Sequence, residues 1–130
     1  MPMLVVAAAL TDCEGRVLMA RRPTGKQHAG LWEFPGGKVE ADETPVAALV
    51  RELQEELGIE VGQEALTPVA FSESPGDRHL VLLLYRCRSW RGAPRALDAA
   101  EIRWVAPGAL AALDMPPADR PLAEALAAER

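Results

Sequence analysis

One predicted helix, at residues 44–57, constrains the fold more than any other part of this sequence. Thr44 suits the N-cap, Pro45 suits the first helical turn, and Gly58 suits the position after the last turn. Between them, apolar residues recur at helical spacing and share one face of the helical wheel: Val46, Leu49, Val50, Leu53 and Leu57. The sequence therefore predicts an amphipathic helix with both ends defined.

Three glutamates share a second face of this helix, beside the apolar one. Glu52, Glu55 and Glu56 fall between about 180° and 280° on a wheel that starts at Val46. Glu52 and Glu56 are one helical turn apart, and such a like-charge pair costs a few tenths of a kcal/mol in an isolated helix. Arg51 can offset only part of the repulsion among the three glutamates. A hard divalent cation can neutralise the cluster, since carboxylate oxygens are its natural ligands. The alternative is a solvated acidic face.

The rest of the sequence predicts short strands separated by turns, with helical segments at the end. Strands are predicted at 3–10, 17–20, 31–34, 67–72, 79–88 and 101–105, and helices at 107–113 and 118–129. The strand at 17–20 is predicted to be the return strand of a hairpin. The sequence Pro35-Gly36-Gly37 is predicted to end the strand at 31–34, with a brief resumption at 39–40. We expect a single domain over residues 1–130.

Charge and cysteine content limit the partners and the compartment. The net charge is −5, which argues against binding a nucleic-acid polymer but permits binding a small polyphosphate with a metal ion. Cys13 and Cys87 fit free thiols in a reducing cytosol. The apolar run at 3–10 has no basic residue before it, and it is too short to span a bilayer. We expect a cytoplasmic protein without a membrane partner.

The helix lies within a longer pattern that resembles the Nudix box. The pattern is Gly37-x5-Glu43-x7-Arg51-Glu52-Leu53-x-Glu55-Glu56-x-Gly58-Ile59. The segments Gly30–Glu40 and Met115–Pro121 look like the MutT branch of that family. The resemblance implies the Nudix fold, an α/β/α sandwich with a mixed β-sheet. It also implies hydrolysis of a nucleoside triphosphate to a nucleoside monophosphate and pyrophosphate, with water attacking the β-phosphorus.

The same resemblance assigns roles to the helix residues. Glu52 is the expected general base or metal ligand, Glu55 and Glu56 are expected metal ligands, and Arg51 is expected to orient the catalytic glutamates. In such a site metal ions bridge phosphate oxygens and help to activate water, and one carboxylate accepts the proton of that water. The expected cofactor is Mg²⁺, for which Mn²⁺ can substitute.

Further metal contacts are implied outside the acidic face. A backbone carbonyl of Gly36 or Gly37 would complete part of the metal shell, because glycine allows a close approach. Asp98 stands where relatives usually carry a glutamate that binds an extra metal ion, and Glu101 competes for that role. Glu43 is expected to be structural or a weak participant.

Besides Gly36, Gly37 and Asp119, four residues are implied substrate contacts. Arg22 matches a residue that contacts the phosphates, and Phe34 matches a residue that lines the base pocket. Arg78 lies where the branch enters its next long strand, and His28 lies in the loop before the strand at 31–34. The alternatives are a surface arginine at 22, an exposed histidine at 28 and a core phenylalanine at 34.

Asp119 departs from the pattern of the best-known MutT enzymes, which have an asparagine there. Those enzymes remove oxidised guanine nucleotides, chiefly 8-oxo-dGTP, from the pool of DNA precursors. An asparagine amide both donates and accepts hydrogen bonds, whereas an ionised aspartate only accepts and so suits the amino group of cytosine. Pro117-Ala118-Asp119 resembles a related branch that acts on CTP and dCTP. We expect 8-oxo-dGTP as substrate, with CTP or dCTP as the alternative. Asp119 also suits the N-cap of the last helix.

Two other classes of function compete with hydrolysis. A nucleotide-binding module with an inactive Nudix site is the main one, although such modules usually have replaced box residues and this chain retains them. An accessory domain of a DNA glycosylase has no support, because the chain has no basic face. The expected partner is a nucleoside triphosphate, and the protein is expected to be a monomer or a homodimer.

Overall fold

A computed structural model describes residues 2–25, 29–74 and 79–129. The strands are β1 (Met3–Leu10), β2 (Val17–Arg21), β3 (Trp32–Glu33), β4 (Gly36–Lys38), β5 (Leu66–Ser74), β6 (Leu80–Cys87) and β7 (Glu101–Val105). The α-helices are α1 (Pro45–Leu57) and α2 (Arg120–Ala127), and 3₁₀ helices lie at Gln63–Ala65 and Pro107–Ala112. In these ranges no helix is long and apolar enough to cross a membrane.

A mixed four-stranded sheet forms the centre of the molecule. Its order is β4-β1-β6-β5, with β1 parallel to β6 and the other pairs antiparallel. A second, antiparallel sheet has the order β3-β2-β7.

Alternate residues of β1 pack on the two helices, which lie on opposite faces of the mixed sheet. Val6, Ala8 and Leu10 pack in the core of α1, together with Leu49 and Leu53. On the other face Ala7 and Ala9 share a core with residues of α2, among them Leu122 and Leu126. Because both faces of β1 are buried, its run of apolar residues is continuous. The expected α/β/α sandwich with a mixed sheet is confirmed.

The ends of α1 are those that the sequence predicts. The Thr44 hydroxyl accepts a hydrogen bond from the Ala47 N–H at 3.2 Å. Gly58 adopts a left-handed conformation, with φ of 72°, and its N–H donates to the Gln54 carbonyl.

The predicted hairpin of β1 and β2 is only partly right. The chain turns at 12–15, and an isolated antiparallel bridge joins Thr11 to Val17, but β2 then pairs with β3 and β7. One edge of β1 pairs with β6 and the middle of the other edge pairs with β4, so the hairpin does not extend along β1.

The predicted end of the strand at 31–34 is only partly right. The chain does leave β3 after Glu33, but Gly36 and Gly37 then form β4 with Lys38, and no strand forms at 39–40. A Cβ atom at Gly36 would lie 2.0 Å from the Val6 carbonyl oxygen, so glycine is what allows this close pairing. The helix predicted at 118–129 begins at Arg120, and 107–112 is a 3₁₀ helix.

Candidate active site

A cavity of about 660 Å³ lies beside β1, β4 and α1. Its wall brings together residues that are far apart in the sequence: Arg22, Glu33, Phe34, Gly36, Gly37, Glu52, Glu56, Asp98 and Asp119. Most of the predicted site residues therefore meet in one place. His28 and Arg78 lie outside the described residues.

The glycines of β4 lie directly against two glutamates of α1. The Gly36 N–H donates to Glu56 Oε1 at 3.1 Å. A Cβ atom at Gly37 would lie 2.3 Å from Glu52 Oε2, so a larger residue would collide with that carboxylate. This contact places both carboxylates beside an extended strand of glycine backbone.

The two carboxylates are in an environment that disfavours their negative charge. Burial, reinforced by the charge of Glu52, raises the pKa of Glu56 to about 8. Burial also raises the pKa of Glu52, although Arg51 opposes this effect. A bound cation would favour the ionised form of both groups, since it supplies the opposite charge.

The carboxylate oxygens of Glu52 and Glu56 fit a divalent metal ion that also binds the substrate. Within 2–25, 29–74 and 79–129, no three acidic, histidine or cysteine side chains converge on one preformed ligand set. Glu55 in particular is 59% exposed, and its carboxylate lies 3.4 Å from Arg51. Mg²⁺ does not need a full protein cage, because it is commonly held by one or two carboxylates with substrate phosphates and water. Glu52 and Glu56 meet that requirement.

Arg51 connects the acidic face of α1 to the loop before the helix. Its Nε and Nη2 donate to the two carboxylate oxygens of Glu43, at 2.7 and 2.9 Å. Its Nη1 lies 3.2 Å from Glu52 Oε2 and 3.4 Å from Glu55 Oε2, and Nη2 also donates to the Lys38 carbonyl. The Arg51 contact lowers the pKa of Glu43 to about 2, so Glu43 anchors Arg51 as a carboxylate.

Asp119 and Phe34 form a second polar contact on the cavity wall. The Phe34 N–H donates to Asp119 Oδ2 at 3.2 Å, and both residues are buried. Burial raises the pKa of Asp119 to about 7, against the lowering effect of the Phe34 hydrogen bond. Asp119 occupies the N-cap position of α2, but its side chain makes no capping hydrogen bond. The expected N-cap contact is therefore wrong, because the carboxylate is used by Phe34.

Three further residues clarify the alternatives left open by the sequence. Arg22 is half-buried and donates to Glu33 Oε1 at 2.8 Å on the cavity wall. Asp98 also lines the cavity, and its charge contributes to the raised pKa of Glu56. Glu101 instead pairs with Arg21 and Arg103. Asp98 is thus the better placed of the two acids for a metal role.

Glu33 is a cavity residue that was not singled out in the sequence. It pairs with Arg22, and its charge raises the pKa of both Glu56 and Asp119. The available signal was its position as the polar residue between Trp32 and Phe34, both of which are buried.

The closeness of β4 to β1 gives a prediction for stability. We expect Gly36→Ala to lower the free energy of unfolding by about 2–4 kcal/mol, because the new Cβ must displace backbone at Val6. Gly108→Ala is the matched control, since a Cβ there meets nothing within 4 Å. Urea denaturation with chelator present measures both. A Gly36→Ala protein within about 0.5 kcal/mol of wild type would contradict the close pairing.

Known proteins are similar to this chain in sequence and in fold. The family model of the NUDIX domain matches residues 1–126. The CTP pyrophosphohydrolase of Escherichia coli (strain K12) is 39% identical over 132 residues, which cover 100% of this chain and 96% of that protein. The 8-oxo-dGTP diphosphatase of Proteus vulgaris is 42% identical over 87 residues, covering 67% of this chain and 77% of that protein. The solution structure of the E. coli ORF135 protein is similar with a TM-score of 0.84 and 39% identity, covering 95% of this chain and 86% of that one.

Proposed function

Since the chain belongs to the NUDIX domain family and is a Nudix pyrophosphohydrolase, we propose that it cleaves cytosine nucleoside triphosphates, releasing pyrophosphate. The observation that supports this substrate is the buried carboxylate of Asp119 on the cavity wall. Oδ2 of Asp119 accepts from the Phe34 N–H, and we assign Oδ1 to the base. An ionised carboxylate only accepts hydrogen bonds, and the exocyclic amino group of cytosine is a donor.

The similarity to known enzymes does not separate the two substrates. The CTP pyrophosphohydrolase and 8-oxo-dGTP diphosphatases among the relatives are 36–42% identical to this chain. The choice of cytosine therefore rests on Asp119.

The chemistry requires a divalent metal, as is general in this family, and we propose Mg²⁺ or Mn²⁺ held by Glu52, Glu56 and backbone of Gly36 or Gly37. When bound, the metal neutralises phosphate charge and helps to ionise water. Glu52 accepts the proton of the attacking water, and Arg51 holds Glu52 in place through the contact at 3.2 Å. Arg22 and Asp98 line the same cavity. There Arg22 would contact the phosphates, and Asp98 would hold an additional metal ion.

A second candidate substrate, 8-oxo-dGTP, is supported by the pKa of Asp119, which is raised to about 7. A protonated carboxyl group can donate a hydrogen bond to O6 of 8-oxoguanine, as an asparagine amide would. Because the protonated form of Asp119 is substantially populated only near or below pH 7, binding of 8-oxoguanine through it should weaken under mildly alkaline conditions.

Pyrophosphate release with Mg²⁺ tests the proposal. We expect kcat/KM at pH 8 to be higher for CTP and dCTP than for 8-oxo-dGTP and dGTP. A higher value for 8-oxo-dGTP would move the assignment to oxidised purines. Nucleotide binding without turnover of any of the four would instead indicate a non-hydrolytic binding module.

A further inference from the structure

Ser72 on β5 holds the turn that carries Asp119. Its hydroxyl donates to the Ala118 carbonyl at 2.6 Å, and both residues are buried. Ser72 belongs to β5, which pairs only with β6 in the described sheet, so this hydrogen bond crosses from the sheet edge to the C-terminal region. It joins residues 46 positions apart in the sequence.

The turn at 116–119 is fixed from several sides. The Asp119 N–H donates to the Pro116 carbonyl at 3.1 Å, and the Asp119 carbonyl accepts from the Ala123 N–H at 3.0 Å. The Asp119 carboxylate accepts from the Phe34 N–H at 3.2 Å. The Ser72 hydroxyl donates to the carbonyl of the peptide group directly before Asp119, and this hydrogen bond ties the turn to β5. Each of these bonds therefore restrains a different atom of the same short segment.

We propose that Ser72 is a positioning residue for base selection, acting through the Ala118 carbonyl to set where the Asp119 carboxylate meets the nucleotide base. This inference rests on the proposed role of Asp119 in recognising the base. A buried carbonyl that loses its donor must find another partner, and the turn must move for this to happen. A displacement of about 1 Å is enough to lower the efficiency of a positioned group substantially.

The position of Ser72 predicts which kinetic constant changes. Ser72 contacts the Ala118 carbonyl, whereas Glu52 and Glu56 are held by Arg51 and Gly36. Base binding should therefore suffer more than the chemical step. We expect Ser72→Ala to raise KM for CTP by about tenfold or more, with kcat within about threefold of wild type. The ratio of kcat/KM for CTP to that for 8-oxo-dGTP should fall.

The chain offers a matched control and a rescue. Thr11 is also buried, and its hydroxyl donates to the Ala9 carbonyl at 3.0 Å within its own strand segment. Thr11→Val removes a buried hydroxyl without contacting the turn, so it should leave the ratio unchanged even if it lowers stability. Ser72→Thr keeps the hydroxyl and should restore most of the CTP preference.

A second measurement, the titration of Asp119, tests the role of Ser72 without relying on nucleotide hydrolysis. The NMR titration midpoint of the Asp119 carboxyl carbon should differ from that of wild type in Ser72→Ala, because movement of the turn changes both the burial that raises this pKa and the Phe34 hydrogen bond that lowers it. If the ratio and the titration midpoint both match those of Thr11→Val, Ser72 has no positioning role. If wild type hydrolyses neither nucleotide, the proposed function fails, and the titration still shows whether Ser72 positions Asp119.

Discussion

Glu52→Gln is expected to lower kcat by about 1000-fold or more while leaving the fold intact. Glu52 is the carboxylate that lies against Gly37 and accepts from Arg51, and glutamine cannot accept the proton of water. General base catalysis typically contributes 10²–10⁴-fold, and a loss of about 1000-fold corresponds to about 4 kcal/mol of barrier. Initial rates of pyrophosphate release at saturating Mg²⁺ and CTP measure the effect.

The fold should survive this change because the ionised form of Glu52 is disfavoured in the metal-free protein. Burial raises the pKa of Glu52, so at neutral pH a neutral glutamine relieves unfavourable charge, and the melting temperature in chelator should not fall. Glu60→Gln is the control, since the Glu60 side chain is 69% exposed and lies 4.0 Å from that of Arg91. If Glu52→Gln keeps its rate within about tenfold of wild type, only ~1.4 kcal/mol of barrier, Glu52 is not the base.

The choice between cytosine and 8-oxoguanine is expected to depend on pH through Asp119. Above pH 7 the carboxylate is ionised and accepts from cytosine, and below pH 7 the protonated form donates to O6 of 8-oxoguanine. Since each pH unit changes the ratio of the two forms tenfold, the ratio of kcat/KM for CTP to that for 8-oxo-dGTP should rise by up to about 100-fold from pH 6 to 8.

Asp119→Asn should abolish this pH dependence, because its amide does not titrate in that range. We expect the variant to lose much of its activity on CTP and to keep or improve that on 8-oxo-dGTP, since the amide can both donate and accept. A wild-type ratio that is constant from pH 6 to 8, together with a collapse of 8-oxo-dGTP activity in the variant, would contradict this account of base selection.

The same carboxyl group makes the stability of the protein depend on pH. Because the folded-state pKa of Asp119 is about 7 and its ordinary value is 3.8, the unfolded chain releases this proton at lower pH. The Asp119 contribution to stability is therefore fully present below about pH 4 and is lost as pH rises to about 7, at about 1.4 kcal/mol for each unit of pKa. Asp119→Asn should become more stable relative to wild type over this range, which urea denaturation in chelator measures.

The sequence predicts the parts of the site that depend on local spacing. The caps and apolar face of α1 follow from side chains within a few residues of one another, and the same helical spacing places Glu52 and Glu56 on one face. Contacts between distant segments could not be predicted in this way. Phe34 and Asp119 are 85 positions apart, and their hydrogen bond exists only because β3 and α2 meet at the cavity.

The errors have the same origin. The hairpin of β1 and β2 was favoured by the short turn between them, but tertiary pairing gives both edges of β1 to β4 and β6. Glycines at positions 36 and 37 are typical of the end of a strand. In this fold they belong to β4, because only glycine leaves enough space for the Val6 backbone and the Glu52 carboxylate. In both cases the conformational preference of a short segment is overridden by its packing against distant segments, which the sequence alone does not reveal.

If Asp119 contacts the base and Glu56 the metal ion, as proposed, the segment Phe34–Gly36 sets the distance between these two contacts. The Phe34 N–H donates to Asp119 and the Gly36 N–H donates to Glu56, so the two carboxylates are anchored to backbone atoms at most about 7 Å apart. The middle residue, Pro35, has a restricted φ, and its carbonyl accepts from the Ala8 N–H at 2.9 Å, which stiffens the segment. Under these proposed roles, the phosphate chain is positioned relative to the base, and a change in base size would change which phosphorus lies beside the metal-binding carboxylates.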